Sequence, residues 1–424
     1  MRISAFCTAV LTYVVIGHPP PAVAQVDQQR AHEYFREAQA LCERDGGRLW
    51  GVSICAPMVI ADMRTQTFAT SQPAPDGARP RGFGIVNAPV QWGGVTWAAY
   101  TWDDVSTRTP RDRNELFLHE MFHGVQPQLG VIQPALATEH LDAMDGRYWL
   151  RLEWRALARA LRESGEPRNL AVRDALAFRQ ARHMLYPASG ENERAWEITE
   201  GLAAYTGTVL AAPSAADAII GALDLLAGAE AGAAAASFVR TFAYISGPSY
   251  GLLLDASSPG WTRRVRGTDD PATLVMRALA VEPATDAPAS AARYAGAEIR
   301  ASEQQREQQR EERLAELRRR FVEGPVLVIP GGGGTASDSR GAVVIPGVGT
   351  VYFHAFRSSG DWGTLEAAKG VLVASDGRTR RIPAPMRRDD GTFAGDGWTF
   401  KAAPGWVVRE GSRRGDYEVV RQQP

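Results

Sequence analysis

The chain has 424 residues, of which 45% are hydrophobic and 22% are charged. This composition excludes wholesale disorder and allows a large domain plus a smaller one. The 47 basic and 48 acidic residues leave a formal net charge of -1. That balance, with no basic stripe interleaved with aromatic residues, argues against nucleic acid as a partner.

The first 24 residues have the pattern of a cleavable secretory signal peptide. Arg2 precedes an apolar stretch from Ile3 to Ile16, and Ala22-Val23-Ala24 forms a small-residue cleavage site before Gln25. The apolar stretch is short for a membrane span, and no later stretch is long and apolar enough to be one. We therefore predict cleavage after Ala24, no membrane span after signal removal, and a secreted or periplasmic protein.

Export changes how the cysteines are interpreted. Loss of Cys7 leaves only Cys42 and Cys55 in an oxidising compartment. Such a pair favours a disulfide, which here joins the end of the first predicted helix to the strand that follows. The alternative is a pair of buried thiols. Metal binding by these cysteines is not expected, because no nearby histidine or cysteine completes a ligand set.

The first three quarters of the chain predict a small sheet followed by a helical body. An amphipathic helix is expected from Val26 to Arg44. Strand character follows at 49–52, 58–60, 83–88 and 94–100. The expected helices after these strands cover 112–126, 134–164, 169–186, 195–210 and, beyond a break at Gly247-Pro248, 249–255. A sheet followed by a mainly helical body is an α+β fold.

The last part of the chain changes character twice. A charge-rich helix is predicted between Ala289 and Phe321, as a solvated surface helix with a partner-binding coiled coil as the alternative. After Pro325, short apolar segments separated by glycines predict a small all-β domain with the form of a sandwich. The expected domains are therefore 25–323, including the surface helix at 289–321, and 324–424.

The segment HEMFH at residues 119–123 has the residue types and the spacing of a metal site. His119 and His123 are four apart on a predicted helix, so both imidazoles leave one face and can hold one Zn²⁺. Glu120 lies beside them, where it can accept a proton from a water molecule that the metal activates. The alternative is a pair of histidines satisfied inside a helical core. The pattern favours a zinc-dependent hydrolase.

A third metal ligand is best sought in the segment WEITEGLAAY at residues 196–205. Together, HEMFH and TEGLAAY resemble the gluzincin branch of the zincin metallopeptidases, whose third ligand is a glutamate on a second helix. The resemblance covers about residues 83–205 and implies that Glu200 is this ligand. Glu197, three residues earlier on the same face, is the alternative ligand or a partner of one.

Two features limit this resemblance. The interval from His123 to Glu200 is much longer than in aminopeptidase-like gluzincins, so no named peptidase family follows from it. The residues after His123 are Gly124-Val125-Gln126, without the H-x-x-G-x-x-H extension, which argues against metzincins.

A hydrolase of this type also needs a hydrogen-bond donor for the developing oxyanion. Tyr250, expected at a helix start, is the first candidate, with His183 and Tyr205 as alternatives. Three acidic residues that follow the active helix are candidates for holding a ligand imidazole: Glu139, Asp142 and Asp145.

Three functions remain open at this point. The first is a zinc-dependent peptidase that acts on a peptide or protein substrate, with Glu120 as general base. The second is a non-catalytic binding or assembly protein on a zincin scaffold, and the third is zinc-dependent hydrolysis of a non-peptide bond. An intact Glu120 favours catalysis, because a binding scaffold has no need of the base. The sequence does not determine the oligomeric state.

Overall fold

The structure is a computed structural model that describes residues 25–62, 65–76, 87–131, 137–338, 342–387 and 392–422. The predicted signal peptide lies outside these residues, as do residues 83–86 of the predicted strand 83–88. Within the described part, no helix is long and apolar enough to cross a membrane. The chain divides into two compact units, with the boundary between Glu303 and Gln304.

The first unit is mainly helical. Most of its mass lies in helices that follow a small sheet, as the α+β prediction requires. The helices are α1 (Gln28–Asp45), α2 (Trp102–Val105), α3 (Pro110–Val125), α4 (Met144–Arg162), α5 (Gly165–Leu185), α6 (Ser189–Trp196), α7 (Leu202–Ala211), α8 (Ala215–Ala231), α9 (Phe242–Ser257), α10 (Pro271–Leu279), α11 (Ala287–Ala291) and α12 (Gly296–Arg318). Helix α12 continues past the unit boundary.

The sheet of the first unit has the strand order β2-β1-β4-β3. Its strands are β1 (Met58–Asp62), β2 (Thr67–Thr70), β3 (Ala88–Trp92) and β4 (Val95–Thr101). Strands β1 and β4 are parallel, and the two other pairings are antiparallel. A two-residue turn with φ of 60° at Gly93 and 77° at Gly94 joins β3 to β4, which is the geometry that a tight hairpin requires. In the strand order of the described residues, β3 lies at one edge of the sheet.

The predicted disulfide is confirmed. Cys42 and Cys55 are bonded, with their Cα atoms 5.4 Å apart, and the bond ties the last turn of α1 to the loop before β1. The prediction of a strand at 49–52 was wrong, because this stretch forms turns in which Gly51 has a φ of 81°. The apolar residues of this stretch contribute to packing, since Trp50 is buried in the core of the first unit.

The second unit contains two sheets, as the prediction of a β domain requires. Its strands are β5 (Val326–Pro330), β6 (Gly334–Asp338), β7 (Val343–Ile345), β8 (Gly349–Tyr352), β9 (His354–Gly360), β10 (Gly363–Ala367), β11 (Val371–Ala374), β12 (Thr379–Pro383), β13 (Met386–Arg387), β14 (Phe393–Gly395), β15 (Trp398–Ala402), β16 (Trp406–Glu410) and β17 (Tyr417–Arg421). The sheet orders are β13-β14-β15-β10-β9-β6 and β16-β17-β5-β12-β11-β8-β7. One apolar core takes residues from both sheets, including Leu327, Phe356, Leu365 and Trp398, so the sheets pack face to face.

The unit boundary falls inside α12, earlier than the expected boundary at 323. The reason lies in the apolar residues at the end of the predicted surface helix. Leu317 and Phe321 are fully buried against Ile345 and Val351 of the second sheet. The end of this helical segment is therefore part of the core of the second unit, and only the first turns of α12 belong to the first unit.

Removal of the disulfide should destabilise the first unit. A closed loop of this size contributes about 3 kcal/mol in the chain-entropy model, because it restricts the unfolded chain. In the chain that begins at Gln25, the Cys42→Ser/Cys55→Ser double variant is expected to unfold at lower denaturant concentration than the oxidised protein. Reductant should lower the midpoint of the unsubstituted chain and leave that of the double variant unchanged; equal midpoints before and after reduction would contradict this.

Candidate metal centre

Helix α3, which carries the HEMFH segment, begins at a well-formed cap. Thr109 precedes the helix and its hydroxyl accepts a hydrogen bond of 3.2 Å from the backbone N–H of Asp112, while Pro110 occupies the first helical position. The apolar residues of the helix are buried: Phe117, Leu118, Met121, Phe122 and Val125. Because these side chains face the core, the remaining face presents His119, Glu120 and His123.

Aromatic contacts hold α3 against the sheet and against α7. The Tyr100 ring stacks on Phe117 with centroids 4.1 Å apart, and its hydroxyl donates a hydrogen bond of 2.8 Å to the Phe117 carbonyl. On the other side, the Trp50 ring lies 4.5 Å from that of Phe122, and its Nε1–H donates to Thr206 of α7. The two helical stretches that carry the predicted ligands are therefore packed into one core.

Glu200 lies in a π-helical segment, Glu197–Gly201, between α6 and α7. In this segment the hydrogen bond spans five residues, from the Leu202 N–H to the Glu197 carbonyl. Such single turns are often found at functional sites. Helix α9 packs directly on it, since a Cβ at Gly247 would lie 2.3 Å from the Cα of Gly201. Only a glycine allows this close approach.

The structure brings the three predicted ligands together. The Oε2 atom of Glu200 lies 3.3 Å from the Nε2 atom of His119 and 3.3 Å from that of His123, and the two Nε2 atoms are 2.9 Å apart. Tetrahedral coordination with bonds of about 2.0–2.1 Å separates ligand atoms by about 3.3 Å. Glu200 Oε2 is also buried without a hydrogen-bond partner among the described residues. These donors fit a metal ion.

Glu120 belongs to the same cluster but occupies a different position. His119, Glu120 and His123 each offer a ligand atom within 4.8 Å of the others, a group that could hold a metal ion. However, the nearest carboxylate oxygen of Glu120 is 4.0 Å from His119 Nε2, farther than that of Glu200. The ligand spacing therefore favours Glu200 as the third ligand and leaves Glu120 free beside the cluster.

The electrostatics of the cluster distinguish the two carboxylates. Burial raises the pKa of Glu120, and the nearby imidazoles oppose this rise only in part. Burial also acts to raise the pKa of Glu200, but its interactions with both imidazoles outweigh burial and hold that pKa well below the usual range. For His123, burial lowers the pKa, and the stronger influence of Glu200 raises it to about 8. Glu200 is thus the firmly ionised member of the cluster.

The tyrosine at the site is Tyr244, which the sequence did not single out. Its ring stacks on the imidazole of His119 with centroids 5.3 Å apart. Burial, together with the charge of Glu200, raises the pKa of Tyr244. The phenol is therefore neutral at physiological pH and 37% of the residue is exposed to the cleft.

Tyr250, the residue predicted from the sequence as the oxyanion donor, does not line the cluster. Tyr250 is fully buried, and its hydroxyl donates a hydrogen bond of 2.7 Å to Glu153. The predicted break at Gly247-Pro248 does not interrupt α9, so Tyr244 and Tyr250 lie on one continuous helix. Six residues turn about 240° around a helix axis, so the two rings point to different sides.

Tyr250 belongs to a buried network of ion pairs on the far side of the ligand segment. Arg179 pairs with Glu197 at 2.6 Å, which excludes Glu197 as a ligand in this arrangement. Arg182 pairs with Glu193 and with Glu153, each at 2.7 Å. Burial raises the pKa of Glu197 to about 7 although Arg179 lies beside it. This network holds α6 and the π-helical segment against α4 and α5.

The remaining candidates also lie away from the histidines. His183 contacts Glu193 at 3.1 Å, and the Tyr205 hydroxyl donates to Asp255 at 2.8 Å. The three candidates for holding an imidazole do not do so: Asp142 accepts from Ser237, Asp145 pairs with Arg300, and Glu139 is exposed. The partner of His123 Nδ1 is the amide oxygen of Gln126, at 2.7 Å.

Open space flanks the cluster on two sides. A cavity of about 660 Å³ lies beside His119, and one of about 350 Å³ lies beside His123 and Glu200. Three residues line both cavities: Asn87, Glu120 and Tyr244. The second cavity is also lined by Ala88 and Pro89 of the edge strand β3. A cleft therefore runs past the candidate metal ligands and reaches Ala88 and Pro89, at the edge of the sheet as far as the structure describes it.

Comparison with known proteins adds no assignment: no family model, curated protein or solved structure matches the chain.

The two tyrosines of α9 should differ in their contribution to stability. Tyr250→Phe removes a buried hydrogen bond to a carboxylate and is expected to cost about 1.5–3 kcal/mol. Tyr244→Phe removes a partly exposed hydroxyl and should change the free energy of unfolding by less than about 1 kcal/mol. Denaturant unfolding of both variants beside the unsubstituted protein measures this difference, and a larger loss in Tyr244→Phe than in Tyr250→Phe would contradict the placement described above.

Proposed function

We propose that this protein is a zinc-dependent peptidase in which His119, His123 and Glu200 hold the metal and Glu120 is the general base. The observation that carries the proposal is the spacing of the three donor atoms, at 3.3, 3.3 and 2.9 Å, around a buried carboxylate oxygen that has no hydrogen-bond partner among the described residues. Two imidazole nitrogens and a carboxylate oxygen that converge this closely in a buried site are the donors that a cation requires, so a bound cation explains the arrangement.

The donor set suits zinc. Two imidazoles and one carboxylate are typical ligands of catalytic zinc, which keeps a fourth position open for water or substrate. Hard cations such as Ca²⁺ and Mg²⁺ prefer sets made of oxygen atoms only. When bound, zinc supplies Lewis acidity, which acidifies a water molecule and polarises a substrate carbonyl.

Glu120 is the residue that moves the proton. Its carboxylate lies beside the ligands without taking the closest position among them, at 4.0 Å from His119 Nε2. Burial raises the pKa of Glu120, which brings its basicity closer to that needed near neutral pH. In the proposed reaction this carboxylate accepts the proton of the attacking water and then donates it to the leaving amine.

Tyr244 is the proposed donor to the oxyanion. Its raised pKa keeps the phenol protonated, and its ring is held by stacking on His119. The residue lines both cavities of the cleft, beside the proposed ligands. A preset donor of this kind stabilises charge that develops only in the transition state.

The edge strand supports a peptide substrate over a non-peptide one. Strand β3 has a partner only on its β4 side within the described sheet, and its residues Ala88 and Pro89 line the cavity beside His123. An extended peptide can pair with such an edge through backbone groups other than those of Pro89, which has no N–H, and so pass the metal site. The disulfide, in turn, supports the expected secreted or periplasmic location, because such bonds persist in oxidising compartments.

Metal analysis tests the ligand assignment. The purified protein is expected to hold one zinc ion per chain, and Glu200→Ala should lose it at a chelator concentration that the unsubstituted protein withstands, because one of three protein ligands is gone. Glu139→Ala, at an exposed acidic position, is the matched control and should retain the metal. Full zinc occupancy in Glu200→Ala would remove this residue from the ligand set.

A digest of a peptide library tests catalysis. Glu120→Gln keeps the size of the side chain but removes its basicity, so we expect loss of hydrolysis by about 100-fold or more with zinc content unchanged. Tyr244→Phe should lower the turnover rate by about 10- to 100-fold. If the zinc-loaded protein cleaves no peptide at all, the alternative of a binding protein on the same scaffold becomes the better explanation.

A further inference from the structure

Gln126 lies at the junction between the two chain segments that carry the proposed ligands. It follows the last residue of α3, and its backbone N–H bonds to the Phe122 carbonyl at the end of that helix. Its own carbonyl accepts a hydrogen bond of 3.0 Å from Val131. The residue is only 5% exposed, so its side-chain amide has to be satisfied by protein groups.

Both ends of the amide are used. The Nε2 atom donates a hydrogen bond of 2.6 Å to the backbone carbonyl of Thr199, and the Oε1 atom lies 2.7 Å from Nδ1 of His123. A carbonyl oxygen can only accept, so the amide nitrogen has to face Thr199. The amide oxygen therefore faces His123, and the imidazole has to donate its Nδ1–H to it.

This chain of donors and acceptors determines the tautomer of His123. With the proton on Nδ1, the lone pair of Nε2 is directed to the side where His119 Nε2 and Glu200 Oε2 lie, at 2.9 and 3.3 Å. That is the tautomer a metal ligand needs. The second hydrogen bond acts on the other ligand, because Thr199 precedes Glu200 in the π-helical segment.

We propose that Gln126 is a positioning residue for the metal site, one side chain that sets the His123 tautomer and ties α3 to the segment carrying Glu200. This inference rests on the proposed function. Gln126 touches neither substrate nor metal in this role and acts through His123 and Thr199. Partners of metal-bound histidines commonly contribute a 10- to 100-fold factor to metal affinity.

The chain offers a matched control in the same turn. Gln128 lies two residues later in the short helix Gln126–Leu129 and is exposed. Gln126→Ala removes both hydrogen bonds. Gln126→Glu separates them, because a carboxylate can still accept from His123 Nδ1–H but cannot donate to the Thr199 carbonyl.

Zinc affinity, measured by competition with a chelator on the full mature chain, is the first test. We expect Gln126→Ala to bind zinc about 10- to 100-fold more weakly than the unsubstituted protein and Gln128→Ala to bind it equally well. Gln126→Glu should also weaken binding, since the tie to Thr199 is lost. Equal affinity in all four proteins overturns the inference, whereas absence of stoichiometric zinc from the unsubstituted protein counts against the proposed function.

The imidazole tautomer in the zinc-free protein is the second test, and it does not require metal or activity. Nitrogen NMR shifts, recorded at a pH high enough for the imidazole to be neutral, distinguish Nδ1–H from Nε2–H. We expect Nδ1–H in the unsubstituted protein, in Gln128→Ala and in Gln126→Glu, and a shift toward Nε2–H in Gln126→Ala. If Gln126→Ala does not fold, Gln126→Glu decides: zinc affinity as high as in the unsubstituted protein, or an Nε2–H imidazole, overturns the inference.

Discussion

The burial of three carboxylates on one helical stretch is the constraint on which the rest of the first unit depends. Glu193, Glu197 and Glu200 are each at most 5% exposed. A buried charge is tolerated only when a partner compensates it. Arg182 and Arg179 of α5 compensate the first two, and the third faces the imidazoles of His119 and His123. The helical body is thus arranged to bring positive or metal-binding groups to this stretch from two sides.

The two sides differ in a way that bears on function. On the arginine side each buried carboxylate is paired with an arginine, and Tyr250 donates a hydrogen bond to Glu153. On the histidine side a carboxylate oxygen is left without a hydrogen bond among the described residues. Ion pairs behind the segment and converging donor atoms in front of it are what the proposed metal site requires. Gln126 links the segment that carries Glu200 to the end of α3 through its hydrogen bonds to Thr199 and His123.

The local parts of the site were predictable because they follow from helical periodicity. Two histidines four residues apart share a helix face wherever the helix lies, and Glu120 follows between them. The predicted strand at 49–52 was wrong because a short apolar run is typical both of a strand and of a buried turn. Here Trp50 packs on Phe122 of α3 and donates a hydrogen bond to Thr206 of α7. The prediction of a helix break at Gly247-Pro248 was also wrong. Gly247 allows α9 to pack closely on Gly201, and the helix continues through Pro248.

The sequence by itself determined the α+β order of elements, the disulfide between Cys42 and Cys55, and the cluster at 119–123, since each depends on residue type and short spacing. The tertiary structure alone decided which tyrosine and which amide meet the cluster. Tyr244 and Tyr250 are the same type of residue on the same helix, and they differ in what they contact. The Tyr244 ring stacks on His119, whereas the Tyr250 hydroxyl donates to Glu153. Likewise, Gln126 gains its role from Thr199, which is distant in the chain and adjacent in space. Such partners depend on how helices pack, and packing is set by the whole core at once.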